Sequence, residues 1–322
     1  MTARSAPAVR ADAAAQPTEQ AVEAVLGRLP SLAGAHVRLD LLTGGLTNRN
    51  YHVTTDTGAE YVARFFASSG GLLAIDRDAE YHNAQLAADS GVAPRIVDHS
   101  PDDGVLLIEW IDGRTFSDAD LDDPTALDRV AAACRLLHSG SPFVSDFDMF
   151  EVQRRYLATV RESGFRLPED YSSFEPTVRR IEHVLRASAA ATVPCHNDLL
   201  AANIMDDGRQ LWLIDYELAG NNDPCFELGN IWSEAGLEVD RLEHLVAAYY
   251  GGPAPVQTAR ARLFGLMSKY GWTLWASIQD AVSAVDFDYW QWGMEKYVRA
   301  REEFRSPELD QLITTVQESI KS

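Results

Sequence analysis

The stretch His196-Asn197-Asp198-Leu199-Leu200-Ala201-Ala202-Asn203, followed by Ile214-Asp215-Tyr216-Glu217, decides how this 322-residue chain is interpreted. The first part reads H-x-D-x4-N. The second ends an apolar run, Leu211 to Ile214, that has the length and composition of a short buried strand. A turn that carries Asp198 and Asn203, flanked by a strand that delivers Asp215, is expected to bring two carboxylates and one amide close together.

Polar groups of these types meet the needs of phosphoryl transfer from ATP to a hydroxyl. Asp198 is the candidate catalytic base, which would orient and deprotonate the acceptor hydroxyl. Asn203 and Asp215 are the candidate ligands of Mg²⁺, since this ion prefers oxygen ligands. His196 is expected to shape the loop by hydrogen bonding. Turn formation alone also explains Asp and Asn residues between two strands, and it remains the alternative for this segment.

The composition narrows the classes of function. Apolar residues make up 46% of the chain, which supports a sizeable core. A formal net charge of -20 argues against nucleic acid as a partner and is compatible with a cationic substrate, although solubility explains most of these charges. The three Cys residues are widely spaced, which predicts a reducing, cytoplasmic location. No apolar run approaches the ~18–20 residues that a membrane span needs.

The pattern along the chain predicts three regions. Residues 1–18 are expected to form a disordered tail, residues 19–111 a small β-rich N-lobe, and residues 112–322 a larger, mainly helical C-lobe. In the N-lobe the predicted elements are strands at 36–42, 51–54, 61–66, 95–98 and 105–111 and helices at 19–29 and 76–90. In the C-lobe the predicted helices lie near 124–138, 150–163, 173–190, 225–236, 238–250, 255–284 and 287–304. The cleft between the lobes is where a nucleotide is expected to bind.

A glycine-rich loop between the first two strands is the candidate phosphate-binding segment. It reads Gly44-Gly45-Leu46-Thr47-Asn48. Glycines let the backbone approach an anion closely, and successive amides form an anion-binding turn, so Gly44, Gly45, Thr47 and Asn48 are candidate ligands of the phosphates. An ordinary hairpin turn is the alternative, because Gly and Asn are common hairpin residues.

Further nucleotide-binding residues are expected on the following strands and helix. Arg64 can bind phosphate through its planar guanidinium, and Glu80 can pair with Arg64. The alternatives are an exposed strand charge and a solvated helix face. The apolar strand that ends at Ile111 is expected to connect the two lobes, with Glu109 and Ile111 beside the nucleotide base.

An aromatic segment in the last third of the chain is the candidate acceptor site. Four of the seven Trp residues fall between positions 270 and 292, and Trp272 and Trp275 are spaced to lie on one side of a helix. Aromatic faces hold a quaternary ammonium by cation–π attraction, helped by carboxylates. Glu234 is the candidate carboxylate, with Asp286 or Asp288 as alternatives. The aromatic candidates are Trp272, Trp275, Tyr289 and Trp292. Packing in the core is the competing explanation for them.

These segments together resemble the choline/ethanolamine kinase family, within the wider group of aminoglycoside-phosphotransferase-like kinases. The resemblance spans about residues 40–300 and rests on Gly44-Gly45-Leu46-Thr47-Asn48, Arg64, Glu80, residues 196–203 and 214–217, Phe226-Glu227-Leu228-Gly229-Asn230 and Trp272-Thr273-Leu274-Trp275. The H-x-D-x4-N pattern followed by Asp is also that of the protein-kinase catalytic loop. The narrower assignment depends on the W-x-x-W segment and on Asp215-Tyr216-Glu217.

The resemblance implies an α+β, two-lobed, protein-kinase-like fold. It implies transfer from ATP, with Mg²⁺, to the hydroxyl of a small cationic amino alcohol of the choline or ethanolamine type, and it adds Glu217 to the acceptor side. Two positions depart from the family pattern. Glu227 stands where the family usually has Asp, and Leu218 stands where choline kinases often place an aromatic residue, which leaves ethanolamine or another acceptor open.

Other functions remain open at this point. The same fold would serve a kinase for an aminoglycoside, an amino sugar or another metabolite. A non-enzymatic alternative is a pseudokinase-type nucleotide-binding module, which the presence of Asp198, Asn203 and Asp215 disfavours. The sequence leaves the oligomeric state open, a homodimer included.

Overall fold

A computed structural model of the protein describes residues 18–42, 48–66, 70–73 and 75–320. Within these residues a small lobe built on a five-stranded antiparallel sheet precedes a larger, mostly helical lobe. The predicted α+β, two-lobed architecture is therefore confirmed. Residues 1–17 of the expected tail lie outside the described part. Thr18 caps the first helix, because its hydroxyl accepts a hydrogen bond from the amide of Ala21.

The sheet of the small lobe has the strand order β1-β2-β3-β5-β4. Its strands are β1 (Val37–Leu42), β2 (Arg49–Thr55), β3 (Glu60–Phe65), β4 (Ile96–Ser100) and β5 (Val105–Glu109). Alternation along β2 buries Tyr51 and Val53 in a small core, as expected for a sheet with one covered face. On the central strand β3, Arg64 pairs with Asn50 of β2 and Leu106 of β5. Arg64 is thereby fixed from both sides.

Three helices complete the small lobe: α1 (Glu19–Leu26), α2 (Gly70–Leu73) and α3 (Arg77–Asp89). The carboxylate of Asp76 accepts hydrogen bonds from the amides of Asp78 and Ala79, so it caps the start of α3. This cap fixes the first turn of α3, which carries Arg77 and Glu80.

The large lobe is organised around one long helix, α10. Its helices are α4 (Asp118–Leu121), α5 (Pro124–His138), α6 (Met149–Ser163), α7 (Glu175–Ala187), α8 (Pro224–Ala235), α9 (Val239–Tyr250), α10 (Pro255–Val282), α11 (Tyr289–Arg305) and α12 (Glu308–Glu318). From Leu263 to Gln279, α10 is buried on every side, because α6, α8, α11 and α12 all pack against it. A helix with this environment needs apolar and small residues around its whole circumference.

Short strand pairs in the large lobe place the two polar loops side by side. The strands are β6 (Arg114–Thr115), β7 (Val193–Cys195), β8 (Ile204–Asp206), β9 (Leu211–Leu213) and β10 (Gly220–Asn222). Strand β7 pairs with β10, and β8 pairs with β9 and β6, all antiparallel. The 196–203 loop runs from β7 to β8, and the 214–219 loop runs from β9 to β10. Both loops therefore bridge the same two strand pairs.

Glycines let α8 and α10 approach each other to backbone contact. A β-carbon built on Gly229 would lie 2.1 Å from the carbonyl oxygen of Ala261, and one on Gly265 would lie 2.7 Å from the carbonyl oxygen of Gly229. No real side chain tolerates such distances. This contact fixes α8, which borders the 196–203 loop, against the central helix.

The terminal helix α12 was not predicted. It follows Pro307 and buries Leu309, Ile313 and Val316 against its neighbours. The spacing i, i+4, i+7 of these residues is that of one helical face, so the signal was present in the sequence. Strand β5 also ends at Glu109, two residues before the predicted end at Ile111.

We expect Gly229→Ala to lower the free energy of unfolding by about 2–3 kcal/mol, because the added methyl group forces α8 away from α10. Urea unfolding followed by circular dichroism measures this change. Gly252→Ala is the control, since a β-carbon there has no neighbour within 4 Å, and its effect should stay within about 0.5 kcal/mol. Equal stability of the Gly229→Ala variant and the wild type would contradict the close approach.

Candidate active site

The imidazole of His196 joins the two polar loops. Its Nε2 lies 2.7 Å from the carbonyl oxygen of Ile214, and its Nδ1 lies 3.3 Å from the amide nitrogen of Asp198. Burial lowers the pKa of His196 to about 4, so the ring is neutral and donates at Nε2 while it accepts at Nδ1. Both ring nitrogens are thus used to position Asp198 and the residue before Asp215. With Nε2 donating and Nδ1 accepting, the ring has no free lone pair with which to act as a base.

One face of α8 holds the backbone of the 196–203 loop. The carboxylate of Glu227 accepts hydrogen bonds from the amides of His196 (2.9 Å) and Asn197 (2.7 Å). The side-chain oxygen of Asn230 accepts one from the amide of Leu199 at 3.0 Å. Glu227, the departure from the family pattern, therefore still performs a loop-binding role. These bonds satisfy buried loop amides that have no partner in a neighbouring strand.

Two residues of the loops have a left-handed backbone that is rare outside glycine. Asn197 has φ +68° and Asp215 has φ +74°. The side-chain amide of Asn197 donates to the carbonyl oxygens of Leu218 (3.0 Å) and Gly220 (3.2 Å), which offsets the cost of its conformation. Asp215 is held by Arg64, whose Nη2 lies 2.5 Å from its Oδ1. Strained residues at such positions are typical of functional loops.

Hydrogen bonds bring together the segments that carry Asp198, Asn203 and Asp215. The side-chain amide of Asn203 donates to the carbonyl oxygen of Asp198 at 2.8 Å, and the amide of Ile214 donates to the carbonyl oxygen of Asn203 at 3.0 Å. Asn203 and Asp215 therefore lie at the same end of the β8–β9 hairpin, and the backbone of Asp198 is bonded to Asn203. The Oδ1 atom of Asn203 is not used in this arrangement, since only its amide nitrogen is bonded to Asp198.

Negative charge is concentrated around Asp198. Burial and the carboxylates of Glu234, Asp215 and Glu217 raise its pKa well above the ordinary value, while Lys296 opposes the shift. Like charges brought this close repel one another unless cations lie between them. The site is therefore suited to a divalent metal ion and to a positively charged ligand.

The donor set at the hairpin end fits Mg²⁺. In the described part of the chain, no group of three or more His, Cys, Asp or Glu side chains could enclose a metal ion. Mg²⁺ does not need one, because it is usually held by one or two carboxylates together with water and substrate phosphates. The carboxylate of Asp215 and the side-chain oxygen of Asn203 are of the required type.

A cavity of about 590 Å³ lies between the lobes, a volume typical of small-molecule sites. Its walls include Val62, Arg64, Glu80, Ile108, Glu109, Trp110 and Ile111 from the small lobe and its connection, and Asn203, Met205, Ile214 and Asp215 from the large lobe. The predicted residues Glu109 and Ile111 thus line the cleft that also contains the predicted metal ligands.

The buried Arg64 and the half-buried Arg77 form an ion network with three carboxylates beside this cavity. Arg64 contacts Asp215 (2.5 Å), Glu217 (3.2 Å) and Glu80 (3.4 Å). Arg77 contacts Glu80 (2.6 Å) and Glu217 (3.4 Å). The sequence interpretation missed Arg77, although its position three residues before Glu80 on a helix favours pairing.

The network also shows where two further predicted residues lie. The side-chain amide of Asn48 donates to Glu217 at 2.8 Å, and its oxygen accepts from Arg77 at 3.3 Å. Glu217, expected on the acceptor side, thus bonds to residues of the small lobe. Gly44, Gly45 and Thr47 fall outside the described residues.

The predicted aromatic residues divide into two groups. Trp275 packs against Tyr289 and Trp292, with ring centroids 5.8 and 5.5 Å apart. Trp272 instead packs against Phe147, with centroids 6.4 Å apart. The alternative carboxylate Asp288 caps α11 through the amide of Gln291, and the alternative Asp286 is exposed, whereas Glu234 pairs with Lys296 beside Trp292.

A lysine that the sequence interpretation missed lies between Glu234 and Trp292. The ammonium group of Lys296 forms an ion pair with Glu234, and the side chains of both residues are 3% exposed. The same ammonium lies 4.0 Å from the centroid of the Trp292 ring. Position 296 is one helical turn after Trp292, so this contact could have been inferred from spacing on a predicted helix.

Comparison with known proteins places the chain in a family. The model of the phosphotransferase enzyme family (APH) matches residues 38–264. The chain belongs to the phosphotransferase enzyme family. Mouse ethanolamine kinase 2 is 27% identical over 292 residues, which cover 81% of this chain and 74% of the relative.

Solved structures agree with this assignment. A choline/ethanolamine kinase family protein from Mesorhizobium loti has a TM-score of 0.81 and 29% identity, covering 93% of this chain and 99% of that one. Choline kinase LicA from Streptococcus pneumoniae has a TM-score of 0.74 and 24% identity, covering 89% and 98%. The predicted fold and the predicted likeness to choline/ethanolamine kinases are confirmed. None of the described helices of this phosphotransferase is both long and apolar enough to cross a membrane.

A pH-dependent effect on stability follows from the burial of Glu227, which raises the pKa of this residue to about 7. Between pH 4.5 and 7 the folded protein keeps a proton on Glu227 that the unfolded chain has released. The resulting stabilisation is fully present below pH 4.5 and is lost as the pH rises through 7.

We therefore compare the free energy of unfolding of the wild type with that of Glu227→Gln. We expect the difference, wild type minus variant, to fall by up to about 3 kcal/mol between pH 4.5 and 8. Urea unfolding of both proteins at several pH values measures the difference, in which all other titrating groups cancel. A difference that stays constant with pH would show that the pKa of Glu227 is not raised.

Proposed function

We propose that this phosphotransferase transfers the γ-phosphoryl group of ATP to the hydroxyl of a small amino alcohol of the choline or ethanolamine type, with Mg²⁺ as cofactor. The observation that supports it is that Asn203 and Asp215 both line the interlobe cavity, with the side-chain amide of Asn203 bonded to the backbone carbonyl of Asp198. A nucleotide in that cavity would have its phosphates near Arg64, whose buried guanidinium suits them.

Asp215 and Asn203 would hold the Mg²⁺, which, when bound, neutralises charge on the phosphates. Asp198 accepts the proton of the acceptor hydroxyl. The hydroxyl oxygen forms a bond to the γ-phosphorus while the bond from that phosphorus to the bridging oxygen breaks. The electron pair of the broken bond leaves with ADP. A raised pKa increases the proton affinity of Asp198, and cations bound nearby would keep it ionised before the transfer.

The negative charge around Asp198 supports a cationic acceptor. Glu234 and Trp292 line a second cavity, which shares Ala202 with the nucleotide cavity and where an amine would bind. The role of Glu217 changes within this proposal. Its bonds to Arg64, Arg77 and Asn48 make it a residue that positions the phosphate-binding arginines and not one that contacts the acceptor.

A larger acceptor is the second candidate. A cavity of about 850 Å³, lined by Leu200–Ala202 of the loop and by Glu234, Trp292 and Lys296, exceeds the needs of a two-carbon alcohol. An amino sugar or another metabolite alcohol would use more of this volume. ATP consumption measured with ethanolamine, choline and a set of amino sugars separates the two candidates, because only the true acceptor yields a phosphorylated product.

We expect Asp198→Asn to lower kcat by about 10²–10⁴-fold, because the amide cannot accept the hydroxyl proton. Coupled measurement of ADP release gives the rate, and calorimetry should show ATP affinity near that of the wild type. Asp102→Asn, in an exposed turn, is the control and should have no effect. Near-wild-type turnover by Asp198→Asn would exclude Asp198 as the base.

We expect chelation by EDTA to abolish activity and added Mg²⁺ to restore it. In Asp215→Asn the Mg²⁺ concentration needed for half-maximal rate should rise at least tenfold, because one anionic ligand is lost. A titration of the rate with Mg²⁺ measures this. Asp207→Asn, at the opposite end of the same hairpin, should follow the wild-type curve. Identical curves for all three proteins would remove Asp215 from the metal site.

A further inference from the structure

The acceptor side of the site already contains an ammonium group that belongs to the protein. Lys296 lies between the carboxylate of Glu234 and the face of Trp292, 4.0 Å from the ring centroid. A carboxylate and an aromatic face are the two groups by which proteins bind an alkylammonium ion. An acceptor that relies on these two groups alone would have to compete with Lys296.

One atom of this arrangement remains unsatisfied. Glu234 uses Oε2 for Lys296, whereas its Oε1 is buried and, among the described residues, has no hydrogen-bond partner. A buried charged acceptor without a donor is costly, so a ligand that donates an N–H or O–H to Oε1 gains free energy. A primary ammonium has three such hydrogens. A quaternary ammonium has none.

The position of the pair relative to the chemistry makes this relevant to the acceptor. Glu234 and Lys296 line the cavity of about 850 Å³ that is also lined by Leu200–Ala202, the segment between Asp198 and Asn203. A small acceptor in this cavity lies next to the loop that carries the base. Because Oε1 of Glu234 is itself buried, the amine of an acceptor would have to displace the atoms that cover it in order to bind there, while Lys296 covers the Trp292 face.

We propose that Lys296 is a specificity-determining residue, which makes the acceptor site select an amino alcohol with N–H groups over one with a quaternary ammonium. This inference rests on the proposed function. Lys296 occupies the aromatic face and one of the two carboxylate oxygens that a trimethylammonium group would use. What it leaves is a hydrogen-bond acceptor, which the ammonium group of an N–H bearing amine can satisfy and a trimethylammonium group cannot.

A second lysine of the same kind lies elsewhere and offers a matched control. Lys269 is also 3% exposed, forms an ion pair with Glu303 (2.8 Å) and lies 4.4 Å from the centroid of Trp232. It does not line the acceptor cavity. Comparison of Lys296→Met with Lys269→Met therefore separates the effect of position from the general cost of removing a buried ion pair.

The test measures kcat/KM with ATP for ethanolamine and its N-methyl, N,N-dimethyl and N,N,N-trimethyl derivatives, the last being choline. In the wild type we expect kcat/KM to fall along the series, with ethanolamine at least tenfold above choline. In Lys296→Met, kcat/KM for choline should rise above the wild-type value. The ratio of kcat/KM for ethanolamine to kcat/KM for choline should shrink at least tenfold. A gain of this kind cannot result from poor folding. Lys269→Met should keep the wild-type ratio.

The outcomes distinguish this inference from the proposed function. Choline used as well as ethanolamine by the wild type would overturn the inference, without need of a variant. An unchanged ratio in Lys296→Met, or an equal change in Lys269→Met, would also overturn it, and in these cases the proposed function stands. If none of the four amino alcohols is phosphorylated while ATP still binds, the proposed function is wrong and the inference falls with it.

Discussion

The hydrogen bonds of one buried, neutral imidazole hold the polar site together. His196 connects the segment that carries Asp198 to the segment that carries Asp215, and it uses both ring nitrogens to do so. A charged ring would lack the acceptor that the amide of Asp198 requires, so burial, which keeps the ring neutral, is a condition of the geometry. The left-handed backbone at Asn197 and Asp215 is tolerated because the same network surrounds it.

Much of this site could be predicted from local sequence because its members lie within twenty residues of one another. Asp198, Asn203 and Asp215 are separated by one turn and one hairpin, so the spacing alone limits where they can lie. Most of the helices could also be predicted from local sequence. Pro124 after two acidic residues marked the start of α5, and the structure has that helix from Pro124 to His138, as predicted.

The features of the site that were not predicted depend on contacts between distant parts of the chain. Nothing local to Glu217 indicates that it bonds to Arg64 and Asn48 of the small lobe, since those contacts arise only when the lobes meet. Likewise, Glu234 and Lys296 lie on different helices, and their pairing depends on how α8 and α11 both pack against α10. By contrast, α12 was missed although its apolar spacing is regular.

Helix α8 acts as a rigid spacer between the loop that carries Asp198 and the cavity proposed for the acceptor. Glu227, Asn230 and Glu234 lie at i, i+3 and i+7 on one face, the first two bonded to the 196–203 loop and the third lining the cavity proposed for the acceptor. Two helical turns separate the ends of this set by ~10.5 Å. Because Gly229 holds α8 in backbone contact with α10, that length cannot be adjusted by sliding the helix. Relatives with acceptors of other sizes would therefore have to differ in side chains around α8 and not in its position.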